Sequence, residues 1–205
     1  MEYIFNKNNF ILTFDAQYNN IIRTKILKES DYMKLEMKKS NLNDGVDVYK
    51  FLCDLGIGEN GFHMTPPSDE IEFKELLKKF LKDSEEIQPI GRVMQEIYWM
   101  YIDNEIVGIL KLRPQLNGNL LINGGNMGIS ISPKFRGNGY GKLIIKKGVE
   151  LLKEKGVYKV LITIYENNIP SRKAVESNGG ILYDINEGLC RYWIDNTVDI
   201  DKEQL

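Results

Sequence analysis

Met127-Gly128-Ile129-Ser130-Ile131-Ser132-Pro133-Lys134-Phe135-Arg136-Gly137-Asn138-Gly139-Tyr140-Gly141-Lys142 is the stretch on which the fold turns. Met127 to Ser132 is apolar and β-prone, and Pro133, with no N–H to give, stops it. From Lys142 to Lys155, Leu143, Ile144/Ile145, Val149 and Leu151/Leu152 recur at helical spacing, with Gly156 as a C-cap. Between strand and helix lies Arg136-Gly137-Asn138-Gly139-Tyr140-Gly141, whose glycines permit close approach of a ligand to the main chain. The N–H groups of such a turn and of the first helical turn converge on one spot, where the helix dipole adds partial positive charge. The unit is a backbone-made site for a pyrophosphate.

Spacing separates the phosphate-binding motifs. A Walker loop, G-x-x-x-x-G-K-[ST], has Arg136 where its first glycine belongs and Leu143 after the lysine. A dinucleotide fingerprint, G-x-G-x-x-G, has Lys142 at its third glycine. Both fail.

Outward from this unit, Ile97–Ile102 and Ile106–Leu112 are apolar β-prone runs joined by Asp103-Asn104-Glu105, a hairpin. Tyr32 to Lys38 alternates with the two-residue period of a half-buried strand. Asn43-Asp44 is placed to cap a helix that ends at Gly56, and a second amphipathic helix starts near Asp69, with Phe73, Leu76/Leu77 and Phe80/Leu81 on one face. After the central helix come a strand over Val160–Tyr165, a helix over Pro170–Ser177, and strands around Ile181–Asp184 and Cys190–Ile194. Residues 1–31, with β-like runs at 10–14 and 21–26, read as an N-terminal extension; an exposed edge there offers pairing with a second copy as a homodimer.

Composition limits the partners. The 205 residues, 42% apolar and 27% charged, suit one globular domain. A net charge of −2 provides no field for nucleic acid or an anionic membrane face. Two cysteines, Cys53 and Cys190, and one histidine, His63, are too few for a structural zinc site, so no metal is expected. The thiols read as reduced small hydrophobes. No run approaches the about 18 apolar residues of a membrane span, and the start has no leader pattern, so the expected place is the cytoplasm.

Ile131-x-Pro133-x-x-Arg136-Gly137-x-Gly139-x-Gly141 resembles the acetyl-coenzyme A motif R/Q-x-x-G-x-G/A of the GCN5-related N-acetyltransferases (GNAT). Glu59-Asn60-Gly61-Phe62, Tyr98-Trp99, Lys111-Leu112-Arg113, Asn168-Ile169 and Asn178-Gly179-Gly180 resemble more narrowly a group of predicted bacterial acetyltransferases. The likeness covers residues 32–195 and leaves the extension 1–31 and a tail 196–205 outside. It implies an α/β (α+β) fold: a mixed, strongly twisted central sheet flanked by helices, with a splayed strand pair for the cofactor. It further implies an N-acetyltransferase that moves the acetyl group of acetyl-CoA, its cosubstrate, to a primary amine of a small molecule or peptide by direct attack. Ile129, Ser130 and Ile131 would pair with pantetheine, Arg136, Gly137, Asn138, Gly139, Tyr140, Gly141 and Lys142 would hold the pyrophosphate, and Asn168 and Ser171 would meet the pantetheine or thioester end. Asn168 is equally well placed as a helix cap.

The chain departs from its relatives where proton transfer is concerned. Many place a glutamate or histidine where this sequence has Asn126, which cannot take up a proton at neutral pH, and a tyrosine where it has Val175. Glu96 and Glu166 are the carboxylates nearest to the expected site and stand as candidate bases, though either also reads as a solvated charge. Tyr98, Arg113, Asn126 and Tyr165 are candidates for the acceptor pocket. His63 sits in a loop that could reach it. The vacancies at Asn126 and Val175 also suit a different function, a non-catalytic acetyl-CoA sensor.

Overall fold

The hairpin forms the centre of the sheet. In the computed structural model, which describes residues 5–6, 32–85 and 88–197, β4 (Glu96–Ile102) and β5 (Glu105–Leu112) are joined by Asp103-Asn104, with φ of 49° and 68°. Two successive positive φ values match the turn to the right-handed twist of the strands, and Asp and Asn tolerate them. Around the hairpin, β3 (Leu35–Lys39) pairs with β4 and β6 (Met127–Ile131) with β5, giving the order β3-β4-β5-β6, all antiparallel. A second antiparallel sheet is ordered β7 (Lys159–Tyr165), β9 (Leu189–Asp195), β8 (Ile181–Asn186). Two short strands, β1 (Phe5–Asn6) and β2 (Tyr32–Met33), pair with each other. The runs expected at 10–14 and 21–26, and the tail beyond residue 197, lie outside the described residues.

Strand period sorts the core into two layers. Ile97, Trp99, Tyr101 and Ile109 pack against α1 (Val46–Leu55) and α2 (Glu70–Glu85). Tyr98, Met100, Ile102, Leu110 and Leu112 pack on the other face, against α4 (Tyr140–Glu154). Trp99 is fully buried between Phe51 and Phe80, a burial worth about 5 kcal/mol at the usual area coefficient. Its indole N–H needs an acceptor there, and Asp44 Oδ2 supplies it at 2.7 Å. Asp44 is therefore not the expected helix cap; Gly45 holds that position. Cys190 is buried in the α4-side layer, whereas Cys53 is exposed rather than packed.

The expected splay is wide enough to divide the sheet in two. Lys155, just past α4, binds Glu96 at the start of β4, and Glu96 is in register with Leu112, itself opposite Met127. The helix thus returns the chain to the end where β6 begins, and β7 starts beside it. There Asn126 ties the sheets together: its N–H donates to Leu161 O and its Oδ1 accepts from Leu161 N, both at 2.8 Å. Beyond the tie no ladder joins β6 to β7 among the described residues. Two further helices complete the fold, α3 (Gly118–Ile122), not foreseen from the sequence, and α5 (Ile169–Glu176).

Candidate active site

A cavity of about 720 Å³ fills the gap between β6 and β7 and runs from the N-termini of α4 and α5 to the loop before α2. Its β6 wall is main chain. Arg113 N donates to Asn126 O, and Ser132 N to Val107 O. Antiparallel pairing alternates, so the N–H and C=O groups of Met127, Ile129 and Ile131 are turned away from β5, toward the gap. The same parity on β7, fixed by the bonds of Tyr158 and Glu166 to β9 and its turn, turns Thr163 and Tyr165 toward the gap from the other side.

At one end the glycine turn closes the cavity. Gly137 and Gly139 have φ of 80° and 79°, a region costly for any residue with a Cβ, and Gly139 is the N-cap of α4. A Cβ at either would meet nothing within 4 Å, so both open on free space. Gly141 lies inside the first turn of α4, which begins two residues earlier than the sequence suggested. Arg136 Nε donates to Ile131 O at 3.1 Å, and its guanidinium pairs with Glu59 at 2.5 Å. Asn138 does not line the cavity; its Nδ2 donates to Phe135 O and Arg136 O and pins the turn. Lys142 and Lys173 add positive charge at this end. Asn168 is the helix cap the sequence allowed, its Oδ1 accepting from Ser171 N at 3.3 Å at the start of α5, and with Ser171 it lines the cavity.

At the other end the walls are side chains: Phe62 and His63 from the loop before α2, Lys111 from β5 and Arg113 just past it, Asn123 and Gly124 before β6, and Tyr165 from β7. Tyr165 packs against the loop, where a Cβ on Gly61 would come 3.1 Å from its ring. Lys111 donates to the His63 carbonyl and lies 4.4 Å from the centre of the Phe62 ring. Burial, helped by the charges of Arg113 and Lys79, pushes its amine down to about 8.

Besides Asn138, four expected residues lie off this cavity. Glu96 and Tyr98 sit on the opposite face of β4, because the period of two that sends Ile97 and Trp99 toward α1 and α2 sends them toward α4. Burial alone would raise the Glu96 carboxyl, but Lys155 and Lys39, each at 2.9 Å, outweigh it and hold it below the ordinary range. Tyr98 donates to the same carboxylate at 3.2 Å, and burial, with the Glu96 charge, raises its phenol. Asn126 is 1% exposed, and besides binding Leu161 its Nδ2 donates to Arg113 O at 2.8 Å. Its carboxamide is fully used as the tie between the sheets. Glu166 does not line the cavity, and its carbonyl accepts from Arg172. Lys111 was missed as a site residue, although a lone charge inside the apolar run Ile106–Leu112 was a readable sign.

The profile of the acetyltransferase (GNAT) family matches residues 64–179. Among curated proteins none matches this sequence. Solved structures with the same fold include an N-acetyltransferase from Staphylococcus aureus Mu50 (13% identity, TM-score 0.56, covering 80% of this chain and 99% of that one). Another is the Campylobacter jejuni N-acetyltransferase PseH in complex with acetyl coenzyme A (17%, 0.52, 79% and 99%). A third is a spermidine N-acetyltransferase SpeG chimera from Vibrio cholerae and hSSAT (14%, 0.54, 79% and 95%). Among the described residues no helix is long and apolar enough to cross a membrane, and no group of three or more His, Cys, Asp or Glu could hold a metal ion. The family profile spans more than half of the 205 residues, from the loop that carries His63 to the turn after α5, and the chain belongs to the GNAT acetyltransferase family.

Proposed function

We propose that this chain is an N-acetyltransferase that takes the acetyl group from acetyl-CoA and passes it to the amine of a small acceptor. The observation that carries the reading is the open, unpaired edge of β6 leading straight into a positive-φ glycine turn at a helix N-terminus. Such an edge pairs with an amide-bearing arm such as pantetheine, and the turn takes its diphosphate.

The chemistry then follows from position. The neutral amine attacks the thioester carbonyl, the oxygen gains charge, and the C–S bond breaks to release coenzyme A. The outward N–H of Ile129 can donate to the developing oxyanion, a contribution of about 3 kcal/mol for one well-placed donor. Holding both reactants in one cavity lowers the barrier by several kcal/mol more. For the amine proton, the described residues of the cavity provide one carboxylate, Glu59, already paired with Arg136, so His63 or water relayed past it is the proton acceptor.

Because no free carboxylate lines the cavity among the described residues, the acetyl-CoA sensor remains the second reading. A thermal-shift titration with acetyl-CoA, then an amine panel read as free thiol, tests both. Saturation a hundredfold above Kd stabilises by about 2.7 kcal/mol. Thiol release with an amine supports the enzyme; tight binding without turnover across the panel leaves the sensor; no binding ends both.

A further inference from the structure

The geometry points to an acceptor that carries a compact oxyanion, a carboxylate or phosphate, besides its amine, held by Lys111 and Arg113. This rests on the acetyltransferase reading and names the class of its second substrate.

Lys111 lies on β5 and Arg113 just past its end, where Arg113 N still donates to Asn126 O, so the two-residue spacing sends both from the same face. Opposite them Gly128 has no side chain; a Cβ there would lie 3.4 Å from Arg113 Nη2 and 3.6 Å from Lys111 Cβ. The two cations thus border the cavity together. Among the described residues neither pairs with a carboxylate. Lys111 is satisfied by the His63 carbonyl and the Phe62 ring. Arg113 gives Nε to Gln95 at 2.9 Å and Nη1 to the carbonyls of Gly124 and Gly125 at 3.2 and 3.1 Å. These neutral partners fix the guanidinium without balancing its charge, and they leave Nη2 with no hydrogen bond among the described residues. Among the described residues no fully buried side-chain N or O lacks a partner, so Nη2 keeps some exposure.

Two like charges in a partly desolvated wall repel each other, which is why burial and Arg113 together depress the Lys111 amine. An anion between them reverses that cost. The coenzyme's diphosphate does not serve, since it has its own turn: Gly128 to Ile131 alone covers about 10 Å of strand, and Arg136 lies further on. The remaining candidate is a group on the acceptor. A polycation such as a polyamine meets the wrong sign of charge here.

The test has a binding arm and a turnover arm. Calorimetry on the protein saturated with coenzyme A, titrated with succinate and with inorganic phosphate, is expected to show millimolar binding of at least one. That binding should weaken about tenfold or more in Lys111→Met and in Arg113→Lys, as loss of a charge-assisted hydrogen bond predicts. Turnover of matched pairs, an amino acid against its amide and phosphoethanolamine against ethanolamine, should favour the anionic member in kcat/KM, and the pair with the larger ratio identifies the oxyanion. Indifference to both anions, unchanged binding in both variants, or spermidine outperforming every anionic amine overturns the inference while leaving acetyl transfer standing. Failure of coenzyme A itself to bind removes both.

Discussion

The two ends of one cavity are built on different plans. The end at the glycine turn is main chain: a strand edge, two glycines with positive φ and a helix N-terminus, all within residues 127 to 142. The opposite end is side chain, gathered from the loop at 62–63, from Lys111 at the end of β5 and Arg113 just past it, from 123–124 and from Tyr165. On the proposed reading the first takes the coenzyme and the second the acceptor, and the second can be rewritten residue by residue without disturbing the first. Specificity therefore resides where the backbone does not decide.

Substitutions at each end can break this contrast. The largest effect is expected from Gly139→Glu, which puts a Cβ at φ 79° and a negative charge at the diphosphate: the Kd of coenzyme A, by calorimetry, should rise about 1,000-fold while the fold persists. A smaller loss would mean that side chains, not the turn, hold the nucleotide. Next is Asn126→Leu, at the tie that closes the gap where β6 begins. It strands Arg113 O and Leu161 N, and denaturant unfolding should show a loss of about 3 kcal/mol. His63→Ala should lower kcat about tenfold or more with coenzyme affinity unchanged. Equal damage to both would erase the division between the ends.

Two titrations sharpen the contrast further. Glu96→Gln should act on stability rather than on coenzyme binding. The carboxyl is held below its ordinary range by Lys155 and Lys39, so its contribution is present above the unfolded value and lost as pH falls through the lowered one. The difference in Tm between parent and variant should then shrink in acid. Lys111 has the opposite sign. With its amine near 8, facing Arg113, Lys79 and the His63 carbonyl, the unfolded chain holds the proton more tightly, and stability rises from about pH 8 toward 10.5. Lys111→Met should therefore raise Tm by a few degrees at pH 7 and by less at pH 10; no gain at pH 7 would mean that the cation is already compensated.

Sequence reading found the strand, glycine turn and helix of residues 127 to 142 because these parts are contiguous and their spacing is fixed by covalent geometry. It also found the hairpin, both flanking helices and the strands around them, where period and turn chemistry agree. It misplaced Glu96 and Tyr98 because nearness to a site along a strand says nothing about which face a side chain takes, and parity against Trp99 decides that only once the layers are known. Asn126 stood at a position that implied proton chemistry, yet its carboxamide bridges residues 113 and 161, a link of long range that no local pattern encodes. Lys111 went unassigned for the same reason: its partners at 62 and 63 arrive through a loop.

Since Asn126 and Leu161 hold the strands together at one end, the gap between β6 and β7 is a wedge with a dead end rather than a through-channel. Whatever threads in from the glycine turn advances toward that stop and must leave sideways, past His63 and Tyr165. The protein thus measures its ligand from a fixed mark, as a ruler does from zero.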